Sequence, residues 1–197
     1  MVYAAASMPG PAQVEDSRSR LIAAAGAVLG EHGWVGATSR RIAARAGLNL
    51  SLITYYFSGL DGLLLAAVRD ATRRVAERTA EVMQDGDLVA LAETALRLVD
   101  DPKVRPALQV LTEASVQASR DADIAAEIQR YLLSFRASLH GPVARALGRD
   151  EPALVAAAAA LLAAALDGLL LHRAIGMEFK LAPLRAALRE RGERRRR

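Results

Sequence analysis

The chain has 197 residues and no cysteine, which excludes disulfides and thiolate metal sites. Hydrophobic residues make up 52% of it, enough for a substantial core, and the formal net charge is +4. Aromatic residues are only 4%, and alanine, leucine and arginine dominate, so the composition favours helices throughout. The longest uncharged apolar stretch, residues 153–166, is shorter than the roughly 20 residues that a membrane span needs. We therefore expect a buried helix there and no membrane partner.

The N-terminal residues predict a leader followed by a helix. The first thirteen residues are small and contain proline and glycine, without the basic start and apolar run of a signal peptide. We expect a disordered leader over residues 1–16 and a cytoplasmic protein. Apolar residues then recur at i, i+4, i+7 and i+8 within Ser17–His32, which predicts a helix with one buried face: Leu21, Ala25, Val28 and Leu29. Gly33 follows as the residue that ends this helix with a positive φ.

Two short helices joined by a tight turn come next. Thr38 precedes the segment SRRIAAR and predicts the N-cap of a second helix that ends at Ala46-Gly47. Asn49 is the candidate N-cap of a third helix, residues 50–57. Two short helices separated by about four residues are typical of a helix-turn-helix, in which the start of the second helix reaches base edges in the major groove of DNA.

The rest of the chain predicts longer helices and no repeat. They cover about residues 59–84, 88–99, 104–119, 121–147, 151–175 and 183–191, and a basic tail follows at residues 192–197. Pro142 lies inside one of them and is expected to kink or split it. The predicted fold class is all-α, with a three-helix DNA-binding head at residues 17–60 and a helical bundle at residues 61–191.

Five strings of residues carry a resemblance to a known family. They are RLIAAA at residues 20–25, GWVGATS at 33–39, RIAARAGL at 41–48, YYF at 55–57 and GLL at 62–64. Together they resemble the DNA-binding head of the tetracycline-repressor (TetR) family. The resemblance covers residues 19–65, and the remainder of the chain is similar only in the number and length of its helices.

The resemblance implies a set of residues that contact double-stranded operator DNA: Ser39, Arg40, Arg41, Asn49, Leu50, Ser51, Leu52, Thr54, Tyr55 and Tyr56. Two positions depart from the family pattern. Leu60 stands where family members commonly have a phosphate-contacting lysine, and the recognition helix has no arginine or lysine, so bidentate readout of guanine from it is excluded. Leucine methyls against thymine methyls would serve instead. Affinity would depend on Arg40 and Arg41, with Arg18 and Arg20, or DNA binding would be weak.

The resemblance also implies a sensor half. A ligand pocket is expected among the helices of residues 63–147, with candidate lining residues guessed from their character: Leu111, Glu113, Gln117, Tyr131 and Phe135. The few clustered charges favour an apolar or amphipathic small molecule. The last two long helices, residues 151–175 and 183–191, would pair with their copies in a homodimer. The function implied is a transcriptional regulator, a repressor whose operator binding changes with a small-molecule effector.

Two other function classes stay open at this point. One is a ligand-binding helical protein with weak or lost DNA binding, which Leu60 and the uncharged recognition helix favour. The other is a helical enzyme or cofactor-binding bundle. The three histidines lack partners at metal-ligand spacing, and no phosphate loop, nucleophile motif or carboxylate pair is recognisable. We therefore expect no catalytic residues, no metal and no cofactor.

Overall fold

The computed structural model describes residues 11–82, 97–174 and 176–177, together with Pro183 and Ala186. These residues form helices and contain no strand, which confirms the all-helical prediction. The helices are α1 (Pro11–Gly36), α2 (Ser39–Ala46), α3 (Ser51–Phe57), α4 (Leu60–Val82), α5 (Arg105–Gln117), α6 (Ala122–Leu147) and α7 (Pro152–Ala174). Residues 97–100 are also helical.

Several expectations from the sequence lie wholly or partly outside the described residues. They are the leader at residues 1–10, most of the helix at residues 88–99, the helix at 183–191 apart from Pro183 and Ala186, and the basic tail at 192–197. Residues 11–16, which we expected to belong to the leader, lie in α1, which begins at Pro11.

The main core joins the N-terminal helices to the bundle. The predicted apolar face of α1 is confirmed, because Leu21, Ala25, Val28 and Leu29 are all fully buried. This face packs against α4 and α5, where Leu63, Val68 and Val110 are buried in the same cluster. Because α1 belongs to both halves of the molecule, a shift of α4 or α5 must be transmitted to α1 or strain their contacts.

A second, smaller core lies between α6 and α7. Leu139 and Val143 of α6 pack with Val155, Ala159 and Ala163 of α7, and all five are buried. The small alanine side chains let the two helices approach closely. Pro142 lies within α6, which continues as one helix to Leu147, so of the two expected effects the split is wrong and the kink stays a prediction. The proline side chain is buried in the α6 face.

A buried carboxylate ties α4 to α6. The Glu127 side chain is only 7% exposed, and its Oε2 lies 3.1 Å from Arg69 Nε. Thr72 Oγ1 donates a hydrogen bond of 3.2 Å to Glu127 Oε1, and Arg130 of the same helix forms an ion pair with Glu127. A carboxylate with this little exposure needs such partners, because burying an unpaired charge is costly.

Helix α7 is apolar on nearly every side. Among the described residues, Pro152–Leu169 is long and apolar enough to cross a membrane, by length and composition alone. Val155, Ala159, Ala163 and Leu166 are buried within the subunit, whereas Leu154, Leu161 and Leu171 are exposed. A helix of this kind requires cover on its outer face as well as its inner one.

Candidate nucleic-acid interface and effector cavity

The segment between α1 and α3 is shaped by two glycines with positive φ and by a capping threonine. Gly33 interrupts α1 with φ 67°, as predicted. Thr38 has extended backbone, and its side chain accepts a hydrogen bond of 3.4 Å from Arg41 N, which caps α2. Gly47 ends α2 with φ 63°, and the N–H of Leu48 donates to Ala43 O at 3.0 Å. The predicted two-helix arrangement is confirmed in its caps and its left-handed glycine.

Helix α3 begins at Ser51 with Leu50 at its N-cap position, so the prediction of Asn49 as the N-cap of a helix from residue 50 is one position early. Asn49 still bonds to the start of the helix: its Oδ1 accepts hydrogen bonds of 2.9 Å from both the backbone N and the Oγ of Ser51. The Ser51 hydroxyl donates its proton in this bond. Its Oγ can therefore act only as an acceptor towards DNA, for example from the amino group of a base.

The two short helices divide into an inner and an outer face. Ile42, Ala43 and Ala46 of α2 and Ile53 and Phe57 of α3 are buried. The predicted DNA-contact residues that are exposed are Arg40, Arg41, Asn49, Leu50, Ser51, Thr54 and Tyr55, and Ser39 is half-buried. Of these side chains, Tyr55 is 66% and Leu50 is 47% exposed. Leu52 and Tyr56 are half-buried against the main core.

The two tyrosines of α3 therefore have different environments. Tyr55 presents its ring to solvent, whereas the hydroxyl of Tyr56 is buried and has no hydrogen-bond partner among the described residues. Their rings meet edge to face, with centroids 4.9 Å apart. Only Tyr55 has the exposure that a contact with DNA requires in this arrangement. The DNA role of each residue in the set stays a prediction.

Most arginines of the head bind to the head itself. Arg20 donates a hydrogen bond of 2.7 Å to Ala46 O at the end of α2, and Arg41 donates to Gly36 O. Arg45 pairs with Glu31, with Arg45 Nη2 2.7 Å from Glu31 Oε1, and this bond lowers the pKa of Glu31. The Arg18 guanidinium lies 5.4 Å from the centroid of the Phe57 ring.

Arg40 differs from these arginines. It is exposed, and within residues 11–82 and 97–174 it has no hydrogen-bond or ion-pair partner. It lies in the first turn of α2. We expected Arg20 and Arg41 to supply DNA affinity, but each would have to give up its bond within the head to contact DNA. Arg40 has no such bond to give up among the described residues.

Glu113 connects the head to α5. Its Oε2 accepts a hydrogen bond of 3.2 Å from Trp34 N, across the junction between α1 and α2. A Cβ atom at Gly33 would lie 3.1 Å from the same oxygen, so the glycine leaves room for this contact. Sequence reasoning placed Glu113 in the ligand pocket and missed this contact, because nothing in the local pattern relates it to a residue so distant along the chain.

A cavity of about 380 Å³ lies between α5, α6 and α7. Its lining is mostly apolar: Leu108, Leu111, Thr112, Ser115, Val116, Ile128, Tyr131, Leu132, Asp167 and Leu171. Of the predicted pocket residues, Leu111 and Tyr131 line it, and Phe135 stacks on Tyr131 with ring centroids 6.2 Å apart. Glu113, Gln117 and Phe135 are not among its lining residues. Ligand contact by any of the five stays a prediction.

Two polar groups of the cavity are perturbed by burial. Burial raises the pKa of Asp167 above its ordinary value, and the Arg136 guanidinium acts in the opposite direction. Burial also raises the pKa of Tyr131, and the charge of Asp167 raises it further. Elsewhere in the described part of the chain, no group of three or more His, Asp or Glu side chains could hold a metal ion.

Comparisons with known proteins agree on the N-terminal helices. A family model described as bacterial regulatory proteins, tetR family, matches residues 21–67. The chain is 49% identical over 55 residues to the HTH-type transcriptional dual regulator CecR of Shigella flexneri, covering 28% of this chain and 24% of that protein. It is 32% identical over 126 residues to the HTH-type transcriptional regulator BetI of Stenotrophomonas maltophilia, covering 64% of this chain and 56% of BetI.

A solved structure extends the similarity over most of the chain. It is that of a transcriptional regulator from Rhodococcus sp. Rha1, with 30% sequence identity and a TM-score of 0.67. The match covers 79% of this chain and 82% of that chain. The sequence matches to the curated relatives are shorter, since they reach about a quarter of the length of CecR and about half of BetI.

Proposed function

Because the chain belongs to the TetR family of bacterial regulatory proteins, we propose that it is a cytoplasmic transcriptional repressor that binds operator DNA as a homodimer. A small apolar or amphipathic molecule would bind the cavity between α5, α6 and α7 and change the affinity for the operator. The single observation on which the proposal depends is the exposure of the predicted DNA-contact residues on the outer face of α2 and α3.

That face has the chemistry that contact with a duplex requires. Ser51, Thr54 and Tyr55 are exposed on α3, as is Leu50 at its N-cap position, and Arg40 is exposed on α2 with no partner in the described residues. Phosphate contacts position a protein on DNA and base-edge contacts specify the sequence. We assign Arg40 and Tyr55 to the phosphate backbone and the start of α3 to the base edges, with the leucine methyls against thymine methyls.

The proposed dimer is formed through the exposed face of α7. Leu154 and Leu161 are 36% and 74% exposed in the subunit, on a helix that is otherwise built mainly of alanine and leucine. A two-fold copy packed on this face would bury them. Two heads related by such an axis fit half-sites about 34–36 Å apart, one turn of DNA.

Helix α5 supports a route from the cavity to the head. Leu111, Thr112 and Ser115 line the cavity, while Glu113 of the same helix bonds to Trp34 N in the head. A ligand that favours one position of α5 would thus favour one position of the head. The ligand changes DNA affinity only to the extent that it binds the two states differently.

An electrophoretic shift assay with the DNA upstream of the protein's own reading frame tests the assigned face. We expect Arg40→Ala and Tyr55→Ala each to lower affinity by about tenfold or more, because each removes a contact from both heads of the dimer. Arg149→Ala and Leu133→Ala, exposed positions remote from the head, are the matched controls. Wild-type affinity in Arg40→Ala and Tyr55→Ala would contradict the assignment.

A second function has a specific observation in its favour. Helix α3 has no cationic side chain, Leu60 is half-buried where the family commonly has lysine, and Arg20, Arg41 and Arg45 are bound within the head. A ligand-binding protein with weak or lost DNA binding would have these features. DNA affinity that falls steeply with salt excludes this alternative, because each phosphate contact contributes about −0.9 to the slope of log K against log salt.

A further inference from the structure

Among the described residues, the lining of the cavity between α5, α6 and α7 contains one carboxyl group and no cationic side chain. The carboxyl group is that of Asp167, and the described lining has no lysine, arginine or histidine. The other lining residues are aliphatic or carry a hydroxyl group. A ligand that fills this space therefore meets an apolar surface with a single carboxylate at one side.

That carboxylate lacks a close partner in the subunit. Among the described residues Asp167 makes no hydrogen bond and no ion pair within 4 Å, whereas Asp70, Asp101 and Glu127 all do. Arg136 is near enough to act on Asp167 electrostatically but does not line the cavity. Asp167 is exposed to solvent in the subunit although it lines the cavity, and a carboxylate without a close partner can pair with a cation that binds there.

An aromatic ring stands on the same side of the cavity. Tyr131 lines the wall next to Asp167, close enough for the carboxylate to act on the phenol, and its ring is held parallel to that of Phe135. The interplanar angle of the two rings is 8°. The face of such a ring attracts a cation within about 6 Å of its centroid, and the attraction grows when the cation is desolvated.

We propose that the cavity binds an organic cation, with its charge between Asp167 and Tyr131 and its apolar body against Leu111, Ile128 and Leu132. This inference rests on the proposed function in taking the cavity as the effector site. The cation class follows from the lining, since a neutral ligand would leave Asp167 unpaired and an anion would be repelled by it. A cavity of about 380 Å³ accommodates a small arylalkyl ammonium.

Calorimetric titration of the full-length protein, without DNA, tests the ligand class directly. The probes are benzyltrimethylammonium, its neutral carbon isostere neopentylbenzene, and phenylacetate. We expect the cation to bind at least about tenfold more tightly than the neutral isostere, and the anion not to bind measurably. Asp167→Asn keeps the side-chain shape and removes the charge, and it should abolish the preference for the cation.

The controls separate the carboxylate from the ring. Asp150→Asn, an exposed carboxylate outside the cavity, should leave all affinities unchanged. Tyr131→Phe should retain the preference for the cation and Tyr131→Leu should reduce it severalfold, because only the phenyl face attracts the charge. Unchanged melting temperatures show that each variant is folded.

Several results would overturn the inference. They are equal binding of the cation and its isostere, tighter binding of phenylacetate, binding of none of the three probes, or a cation preference that survives in Asp167→Asn. Since these titrations contain no DNA, such a result leaves the regulator proposal intact. Conversely, cation binding by a protein that binds no DNA would remove the regulator proposal and leave the cavity assignment standing.

Discussion

The DNA-binding head and the sensor bundle use their charged side chains in opposite ways. In the head, Arg20, Arg41 and Arg45 bind backbone oxygens or Glu31, and Arg40 is left without a partner among the described residues. In the bundle, Glu127 is enclosed by Arg69, Arg130 and Thr72, and Asp167 is left without a close partner there. Each half pairs the charges that hold it together, and Arg40 in the head and Asp167 in the bundle are among the charged side chains left without a close partner in the described residues.

Arg40 and Asp167 are opposite in sign, and this difference indicates what each half can bind. Arg40 is exposed on α2, where it suits a polyanion, and Asp167 lines a mostly apolar cavity, where it suits a small cation. The contact between Glu113 and Trp34 is where the two halves meet. Variants that alter a residue of one half test this comparison, because their effect on the other half can be measured.

The largest effect is expected from Leu161→Glu, which places a charge on the exposed face of α7. The subunit should fold, because Leu161 is 74% exposed in it, but the dimer should dissociate. Losing the second head should lower operator affinity by about 10²- to 10⁴-fold, as for any bivalent binder. Sedimentation and the shift assay check this against Leu133→Glu on α6, which is 65% exposed. A dimeric Leu161→Glu protein would exclude this face as the interface.

Glu127→Ala tests the paired charge of the bundle. Removing the carboxylate leaves Arg69, Arg130 and Thr72 without their shared acceptor, and we expect a loss of about 2–3 kcal/mol of unfolding free energy. This value is reduced from that of a fully buried pair, because the arginines are more than half exposed. Glu77→Ala, whose exposed pair with Arg73 is worth little, is the control in urea unfolding. Equal losses in the two variants would contradict the assignment.

Gly47→Ala tests how rigidly the head is built. Gly47 has φ 63°, so alanine should cost about 1 kcal/mol of stability through backbone strain. Gly26→Ala lies in the helical part of α1, where the new Cβ would meet only Val110 Cγ2 at 3.9 Å. That variant should be neutral or stabilising by up to about 1 kcal/mol. Thermal unfolding distinguishes the two, and effects of the same sign would argue against the turn geometry.

Glu113→Gln tests the contact between the halves. The amide oxygen can still accept a hydrogen bond from Trp34 N, but more weakly than the carboxylate. We expect the change in operator affinity caused by benzyltrimethylammonium to shrink severalfold, about 0.5–2 kcal/mol of coupling. Binding of each partner alone should change less. Gln117→Glu, near the end of the same helix, is the control. Full coupling in Glu113→Gln would place the route elsewhere.

The smallest effect is expected for the stability of Asp167→Asn. Since burial raises the pKa of Asp167 in the folded state, this carboxyl favours folding in acid, below its ordinary value of 3.8, and that contribution is lost as the pH rises through the folded pKa. The amide introduced by Asp167→Asn cannot titrate. At pH 7 the unfolding free energy of the variant should therefore exceed that of wild type by at most about 0.5 kcal/mol, a value discounted for partial exposure. The gain should vanish near pH 4. The facing groups are Arg136, whose charge opposes this rise in pKa, and Tyr131, whose own pKa is raised. A gain that grows on acidification would contradict the sign.

The head could be predicted from the sequence because its determinants are local. Its caps and left-handed turns each involve residues within five positions along the chain, and the residue types at those positions indicate them. They are Gly33, Thr38, Gly47 and Asn49. The apolar period of α1 identified its buried face for the same reason. The buried position of the Tyr56 hydroxyl could not be predicted in this way, because it depends on how α3 packs on the core.

The cavity could be predicted only in part because its residues converge from three helices. Leu111 and Tyr131 were found by their apolar or aromatic character within the right helices. The place of Asp167 in the cavity and the contact of Glu113 with Trp34 could not be predicted, since helix periodicity does not say which neighbour a face meets. Pro142 does not split its helix, because tertiary packing keeps α6 continuous around it.

The most direct test of the central claim is the salt dependence of operator affinity in wild type and Arg40→Ala. If the Arg40 side chain of each subunit binds phosphate, the slope of log K against log salt should become shallower by about 2, one contact for each head of the dimer. Affinity should fall at every salt concentration. An Arg40→Ala protein with the wild-type slope and the wild-type affinity would contradict the account.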